Sequence, residues 1–268
     1  MNTRAVLGID AAWTTKNPSG VALLVEEDKK WKLISCAISY KDFTHPLEVD
    51  EKPTGEEPDF KKIIEVAGKK AARDISIVAL DMPLSKESIE GRRKADQQVS
   101  IHYGARGAGT HTPNKEYAGF FKKVCDDLDK QNYPLITGTP QERGAIEVYP
   151  HPALIELTKS EKRLPYKVDK IGRYWKDDTR EERRKNLFAQ WQIILDILKL
   201  QIPNLDEQIS LPKSEIGSLS KIKKWKLKAF EDQLDAVICA WVGVCFLDNQ
   251  ARAYGDETAA IWIPELND

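Results

Sequence analysis

Apolar positions fall into short unbroken runs near the start of the chain and into helical periods further on. Ala5-Val6-Leu7-Gly8-Ile9 is continuous and stops at Asp10, the pattern of a buried strand. Gly20 to Val25 and Trp31 to Tyr40 predict two more strands, joined by the polar turn Glu26-Glu27-Asp28-Lys29-Lys30, which makes a three-strand meander. Pro46 to Pro58, rich in Pro, Gly and acids, predicts a loop. Phe60, Ile63, Ile64, Ala67 and Ala71 then recur at helical spacing and lead into Ile75-Ser76-Ile77-Val78-Ala79-Leu80, a fourth strand closed by Asp81.

From Met82 to Pro140 the chain is mostly polar. It carries a helix near Gly91 to His102, a glycine-rich stretch from Gly104 to Gly109, and a helix near Tyr117 to Lys130. Ala145-Ile146-Glu147-Val148-Tyr149, closed by Pro150 and Pro152, predicts a fifth strand, and two helices follow over Arg180 to Leu200 and Ala229 to Leu247. Short turns make strands 2 and 3 antiparallel neighbours of strand 1, and helical crossovers make strands 4 and 5 parallel to it. The expected fold is α/β: a mixed five-stranded sheet flanked by helices. One domain over residues 1–268 is expected, with insertions at about 85–140 and 156–228.

A hydrophobic content of 41% supplies a core for one domain of this length. Lys+Arg number 41 and Asp+Glu 42, a formal charge of -1, so any contact with nucleic acid has to use local patches. Cys36, Cys125, Cys239 and Cys245 lack metal-ligand spacing and are expected to be reduced packing residues. Met1-Asn2-Thr3-Arg4 lacks the apolar block of a signal peptide, and no run approaches the ~18 apolar residues of a membrane span, so the cytoplasm is the expected location.

The chemistry that stands out is carboxylate. In open sheets ligands collect at the carboxyl ends of parallel strands, where Asp10 and Asp81 emerge. Asp235 starts on the apolar side of the last helix, beside Ile238, Cys239 and Val242, and Asp232 lies one turn before it. Such acids disfavour their own charge unless a cation is bound. The competing reading is a turn or helix cap for Asp10 and Asp81, and for Asp235 a salt bridge to a Lys or Arg of an insertion. Glu231 points more to the side, and alternation turns Glu147 away from Ile146 and Val148, toward a covering helix.

Four ordered motifs carry a family resemblance. Gly8-Ile9-Asp10-Ala11-Ala12-Trp13 with Ser19-Gly20-Val21-Ala22-Leu23, Ala79-Leu80-Asp81-Met82-Pro83-Leu84, Glu147-Val148-Tyr149-Pro150-His151-Pro152, and Gln233-Leu234-Asp235-Ala236-Val237-Ile238-Cys239-Ala240 resemble the family filed as domain of unknown function 429, described as predicted nucleases with a ribonuclease H fold. The resemblance spans nearly the whole chain. It implies a ribonuclease H-like sheet with metal-binding, catalytic acids at Asp10, Asp81 and Asp235, with Asp232 in the extra helix-borne place of related resolvases. Asp81 stands where such enzymes often have Glu, a shorter arm beside the rigid Met82-Pro83 turn.

Gly91-Arg92-Arg93-Lys94-Ala95-Asp96 and Gly109-Thr110-His111-Thr112-Pro113-Asn114 are similar to insertion motifs of that family. Arg92 and Arg93 are candidates to bind phosphate bidentately, with Asp96 orienting an arginine; the alternative is an ordinary helix with internal pairs. His111, Asn114 and, after strand 5, His151 are further candidates for contact with substrate or leaving group, though His151 also suits a turn between two prolines. Lys224 and Trp225, within Lys221, Lys223, Lys226 and Lys228, would set charge and a stacking surface beside the acids. Lys162, Arg163, Lys167, Lys170, Arg173 and Lys176, with Tyr166, Tyr174 and Trp175, make a second basic stretch. For both stretches a solvated face with its aromatics turned to the core is the alternative.

The expectation is a nuclease that uses one or two Mg²⁺ or Mn²⁺ ions to hydrolyse DNA or RNA. A phosphotransferase of the actin-like or sugar-kinase type is the alternative enzyme, although this chain lacks a second such domain and Gly-rich phosphate turns. A third possibility is a non-catalytic module of the same fold that binds nucleic acid or a protein.

Overall fold

The structure, a computed structural model, describes residues 4–48, 51–214 and 217–266. Met1-Asn2-Thr3 at the start, and Val49 and Asp50 of the Pro46–Pro58 loop, lie outside the described residues. The strands are β1 (Ala5–Asp10), β2 (Gly20–Glu27), β3 (Lys30–Ala37), β4 (Ile77–Leu80), β5 (Gly144–Val148), β6 (Ala251–Gly255) and β7 (Ala260–Pro264). The helices are α1 (Tyr40–Thr44), α2 (Phe60–Ala71), α3 (Lys94–Tyr103), α4 (Ala118–Lys130), α5 (Pro150–Thr158), α6 (Ile171–Tyr174), α7 (Arg180–Gln201), α8 (Leu205–Gln208) and α9 (Lys224–Leu247).

The strands form one mixed sheet in the order β3-β2-β1-β4-β5-β7-β6. β1 pairs antiparallel with β2 and parallel with β4, and β4 pairs parallel with β5, as the turn and crossover lengths dictate. Among the described residues the sheet has seven strands rather than five. Ala260-Ile261-Trp262-Ile263 is a short apolar run of the strand type, and the turn through Asp256 joins it to β6 as an antiparallel pair beside β5. β3 pairs with β2 and not with β1, since each meander strand can only add to the newest edge. Trp31 to Tyr40 is also shorter as a strand than expected: Ser39 accepts a hydrogen bond from the Asp42 N–H and starts α1.

Alternation along the central strands sorts their side chains into two layers. Val6, Ile77, Ala79, Ile146 and Val148 pack with α9, α7 and α5 on one face. Leu7, Ile9, Val78, Leu80 and Ala145 pack with α1, α2 and α4 on the other. A third cluster holds α3 against β6 and β7. Because Val6-Gly8-Asp10 and Ile77-Ala79-Asp81 continue one parity, both aspartates leave the sheet on the face that α9 covers.

α9 lies directly on β1 and β2. A Cβ built on Gly8 would stand 2.3 Å from both Ala236 O and Ala240 N, and one on Gly20 would stand 2.1 Å from Asp232 O. Only glycine permits that approach. The helix is buried from Ala229 to Phe246 almost without interruption, which identifies it as a core helix and not a surface one. Among the described residues, no helix is long and apolar enough to cross a membrane. Cys239 and Cys245 are buried, Cys36 and Cys125 half-buried, and all four are free thiols.

Candidate active site

The parallel pairing of β1 with β4 aligns Ile9 with Leu80, and the Asp81 N–H donates to Ile9 O at 2.9 Å, so Asp10 and Asp81 leave neighbouring strands side by side. α9 runs along β1, from Asp232 over Gly20 to Gly243 over Val6, and its amino-terminal half brings Glu231, Asp232 and Asp235, all buried, to the strand ends. Gly20, the pairing partner of Asp10 on β2, lies against the Asp232 backbone, and the acids act on one another electrostatically. Burial and then the charge of Asp10 raise the Asp81 carboxyl well above the usual range, with Asp235 adding to the effect. Burial and then Asp10 do the same to Asp232, against the pull of Lys228. Asp235 is pushed up to about 6, chiefly by burial, although Lys167 pulls the other way. The structure brings Asp10, Asp81, Asp232 and Asp235, the acids singled out in the sequence, to the same end of the sheet.

Two lysines enter the cluster. Lys167 forms a short ion pair with Asp235 and lies 3.5 Å from Glu231; the Tyr166 hydroxyl donates to the other Asp235 oxygen at 2.8 Å. Burial works against the Lys167 charge, yet Asp235, Tyr166, Glu231 and Asp10 together raise its pKa well above the ordinary lysine range. Lys228 bridges Glu231 at 2.8 Å and Asp232 at 2.5 Å. The Val168 N–H donates to the second Glu231 oxygen at 2.5 Å. Asp235 is thus held by an insertion lysine, as the salt-bridge alternative has it, and is not an open ligand.

The balance remains acidic. Asp10, Asp81, Glu231, Asp232 and Asp235 are five carboxylates facing the ammoniums of Lys167 and Lys228, an excess of three acids. Among the described residues neither the Asp10 nor the Asp81 side chain has a hydrogen-bond or ion-pair partner. Also among the described residues, no three His, Cys, Asp or Glu side chains form a ready cage for a metal.

A cleft of about 760 Å³ opens on this cluster. Asp10 and Asp232 form its acidic edge, Trp13 and Trp225 are aromatic walls, and Lys52 and Lys224 add positive charge. Lys224 pairs with Asp169 at 2.6 Å, and Lys226 lies over the Trp225 ring at 5.7 Å. Sequence reasoning singled out Lys224 and Trp225 but passed over Trp13.

The remaining candidates do other work. Arg93 is not available for phosphate. Its guanidinium grips Glu147 through two bonds of 2.6 and 2.7 Å and Asp96 through bonds of 2.9 and 3.0 Å, and Leu84 N–H donates to Glu147 at 2.7 Å. Burial raises the Glu147 carboxyl and Arg93 opposes it. Glu147 therefore projects away from the α9 face, as alternation predicts, and Asp96 orients an arginine. Arg92 is exposed but tied to Ser100 Oγ, Asp96 O and Thr110 O, bracing the glycine-rich stretch. His111 is exposed and does not line the cleft. Asn114 accepts from Glu116 N–H at 3.1 Å and starts a short turn.

His151 is not in a turn between prolines: Pro150 occupies the first position of α5, where its missing N–H costs nothing, and His151 sits in that helix's first turn. It packs edge-on to Tyr149 and Tyr166 with ring centroids 5.3 and 5.5 Å away. Burial, with Lys167 and Arg163 adding to it, holds its pKa well below the usual value, so it is a neutral imidazole.

Two members of the cluster depart from the sequence expectation. Glu231 is four residues before Asp235, a spacing that puts both on one side of a helix, and that signal was present. Lys167 had no local signal. It was one cation of a mixed stretch, and only the neighbouring Tyr166, fully buried here, distinguishes the point where that stretch turns inward.

No curated protein and no solved structure is significantly similar to this chain. Residues 8–259, which include every acid of the cluster, match the family described as "Protein of unknown function (DUF429)", and the chain belongs to that family.

Proposed function

We propose that this chain is a divalent-metal-dependent phosphodiester hydrolase, a nuclease with a ribonuclease H-like core. The meander, the parallel strands with acids at their carboxyl ends, and the acid-bearing helix across them support the fold assignment. The observation that carries the activity is the pair Asp10 and Asp81: two carboxylates beside a buried acidic cluster, without partners among the described residues.

That pair suits magnesium or manganese better than a caged ion. Magnesium keeps several waters and uses one or two carboxylates plus substrate phosphate oxygens, so it does not need a complete protein cage. Asp10 and Asp81 are the residues that would hold it, with the second oxygen of Asp232, since Lys228 takes only the first whereas both Asp235 oxygens are engaged. A bound ion would lower the pKa of a water and neutralise charge on the phosphoryl group. The other residues set the field around them. Lys167, held by Asp235 and Tyr166, and Lys228, bridging Glu231 and Asp232, keep the remaining acids from repelling an anionic substrate. Asp235 is then a positioning residue for Lys167.

The test is cleavage of a panel of single-stranded, duplex, hybrid, branched and dinucleotide substrates with Mg²⁺ or Mn²⁺. Activity is expected with either ion and is expected to be lost in Asp10→Asn and Asp81→Asn. No cleavage of any substrate by the folded wild type sinks the proposal.

The ion pair of Lys167 with Asp235 favours a second reading, a non-catalytic module whose acids are structural. Calorimetric titration separates the two. Heat of divalent binding that disappears in Asp81→Asn supports the hydrolase, and no heat in the wild type supports the module.

A further inference from the structure

The cleft beside the acids has a chemistry of its own. Trp13 follows β1 by three residues and is 39% exposed, a large apolar area to leave in water. Its ring is nevertheless held, by Phe121 at 5.5 Å and 90° and by Tyr117 at 6.4 Å and 67°. Both contacts are edge-type. They fix the indole without stacking on it, and parallel stacking is left for a ligand.

The loop opposite is fixed too: a Cβ on Gly55 would stand 2.5 Å from Asn17 N, so the segment carrying Lys52 and Pro53 is packed against the turn that carries Asn17 and Pro18. Trp225 forms another wall. The volume of about 760 Å³ is that of a small-molecule site.

Electrostatics add a second feature. α9 is 24 residues long, its first turn contains no acid, and no side chain caps it. Lys223 and Lys224 sit where acids would complement the helix dipole; Asp169 offsets Lys224 at 2.6 Å, and the uncapped N–H groups of the first turn keep the amino end of α9 positive. Lys52 makes no ion pair among the described residues and adds to the same cleft. An aromatic platform beside the uncapped helix end and Lys52, with Asp169 held by Lys224 and with Asp10 and Asp232 further along the line of α9, matches one nucleotide unit: a base, its phosphate, and the next bond in reach of the acids.

We infer that this cleft binds a single nucleotide unit of the substrate, with an unpaired base stacked on Trp13 and its phosphate at the amino end of α9. The inference rests on the hydrolase reading for its purpose but not for its test. A duplex has to surrender a stacked, paired base to occupy the cleft, so single strands and frayed ends are preferred over intact duplex.

The experiment is fluorescence anisotropy in EDTA, with labelled single-stranded DNA and RNA, a blunt duplex, and a strand of abasic sites. Single strands are expected to bind at least about tenfold more tightly than duplex or abasic strand. Trp13→Ala is expected to lose that margin and Trp13→Phe to keep most of it, while Lys52→Gln weakens normal and abasic strands alike. Abasic or duplex ligands binding as well as single strands would overturn the inference. So would Trp13→Ala binding as the wild type does, provided its thermal unfolding is unchanged. Tight single-strand binding without cleavage on adding Mg²⁺ or Mn²⁺ sinks the hydrolase and leaves the cleft. Duplex cleavage indifferent to Trp13 does the reverse.

Discussion

At Asp81, burial and the charge of Asp10 act in the same direction and hold the carboxyl's pKa above its ordinary value. Between the unfolded and the raised folded pKa the native state binds more protons than the unfolded chain, so this group's contribution to stability falls as pH rises through that window. In metal-free buffer Asp81→Asn is therefore expected to be more stable than wild type at mildly alkaline pH, by on the order of 1 kcal/mol, with the difference shrinking as Asp81 takes up its proton on acidification. Saturating Mg²⁺ should reverse the order, because it stabilises only the protein that binds it. Thermal unfolding across pH, with and without the ion, reads both effects. Arg93 is the opposite case: its charge is satisfied, by Glu147 and Asp96. Arg93→Gln should cost about 3–5 kcal/mol in urea unfolding, since it strands two buried acids, and Glu147→Gln in the same chain should recover part of the loss. Arg92→Gln, at an exposed site, should cost far less.

Among the elements, α9 decides whether the acids meet. Its backbone rests on Gly8 and Gly20 with no room for a methyl group, so Gly20→Ala must push the helix off β2 at Asp232. A loss of roughly 1–3 kcal/mol is expected from overpacking, together with a weaker Mg²⁺-induced shift in unfolding temperature, because Asp232 moves away from Asp10. An unaltered shift would mean that Asp232 takes no part in ion binding. Much of this element's role was legible in the sequence: apolar runs that stop at Asp10 and Asp81 locate two strand ends, and Asp235 on an apolar helix face needs a buried partner. The partner itself was not legible. Lys167 reaches Asp235 across 68 positions, through an insertion whose path depends on packing Tyr166 against α7, where Trp191 donates to Tyr166 O at 2.9 Å. β6 and β7 were legible but overlooked, since Ala260 to Ile263 is a plain strand run. α5 was hidden by its prolines, which break a strand but start a helix.

For the molecule as a whole, charge sets the scale of any contact with nucleic acid. The formal charge is -1, and many cations near the acids are already spoken for: Lys224 by Asp169, Lys228 by Glu231 and Asp232, Lys167 by Asp235. Lys52, Arg163, Lys170 and Arg173 make no ion pair among the described residues. Burial, then Arg163, Arg173 and Lys167, lowers the Lys170 pKa against the pull of Glu231. Each phosphate neutralised on a single strand contributes about 0.7 to the slope of log affinity against log salt, so roughly three contacts give a slope of about −2. A protein that tracked long duplexes through six or more phosphates would show a slope steeper than about −5. Salt titration of single-strand binding in EDTA distinguishes these, and the shallow slope is expected. It should become shallower still in Lys52→Gln and stay unchanged in Trp13→Phe, because one variant removes a phosphate contact and the other only trims the surface on which a base stacks.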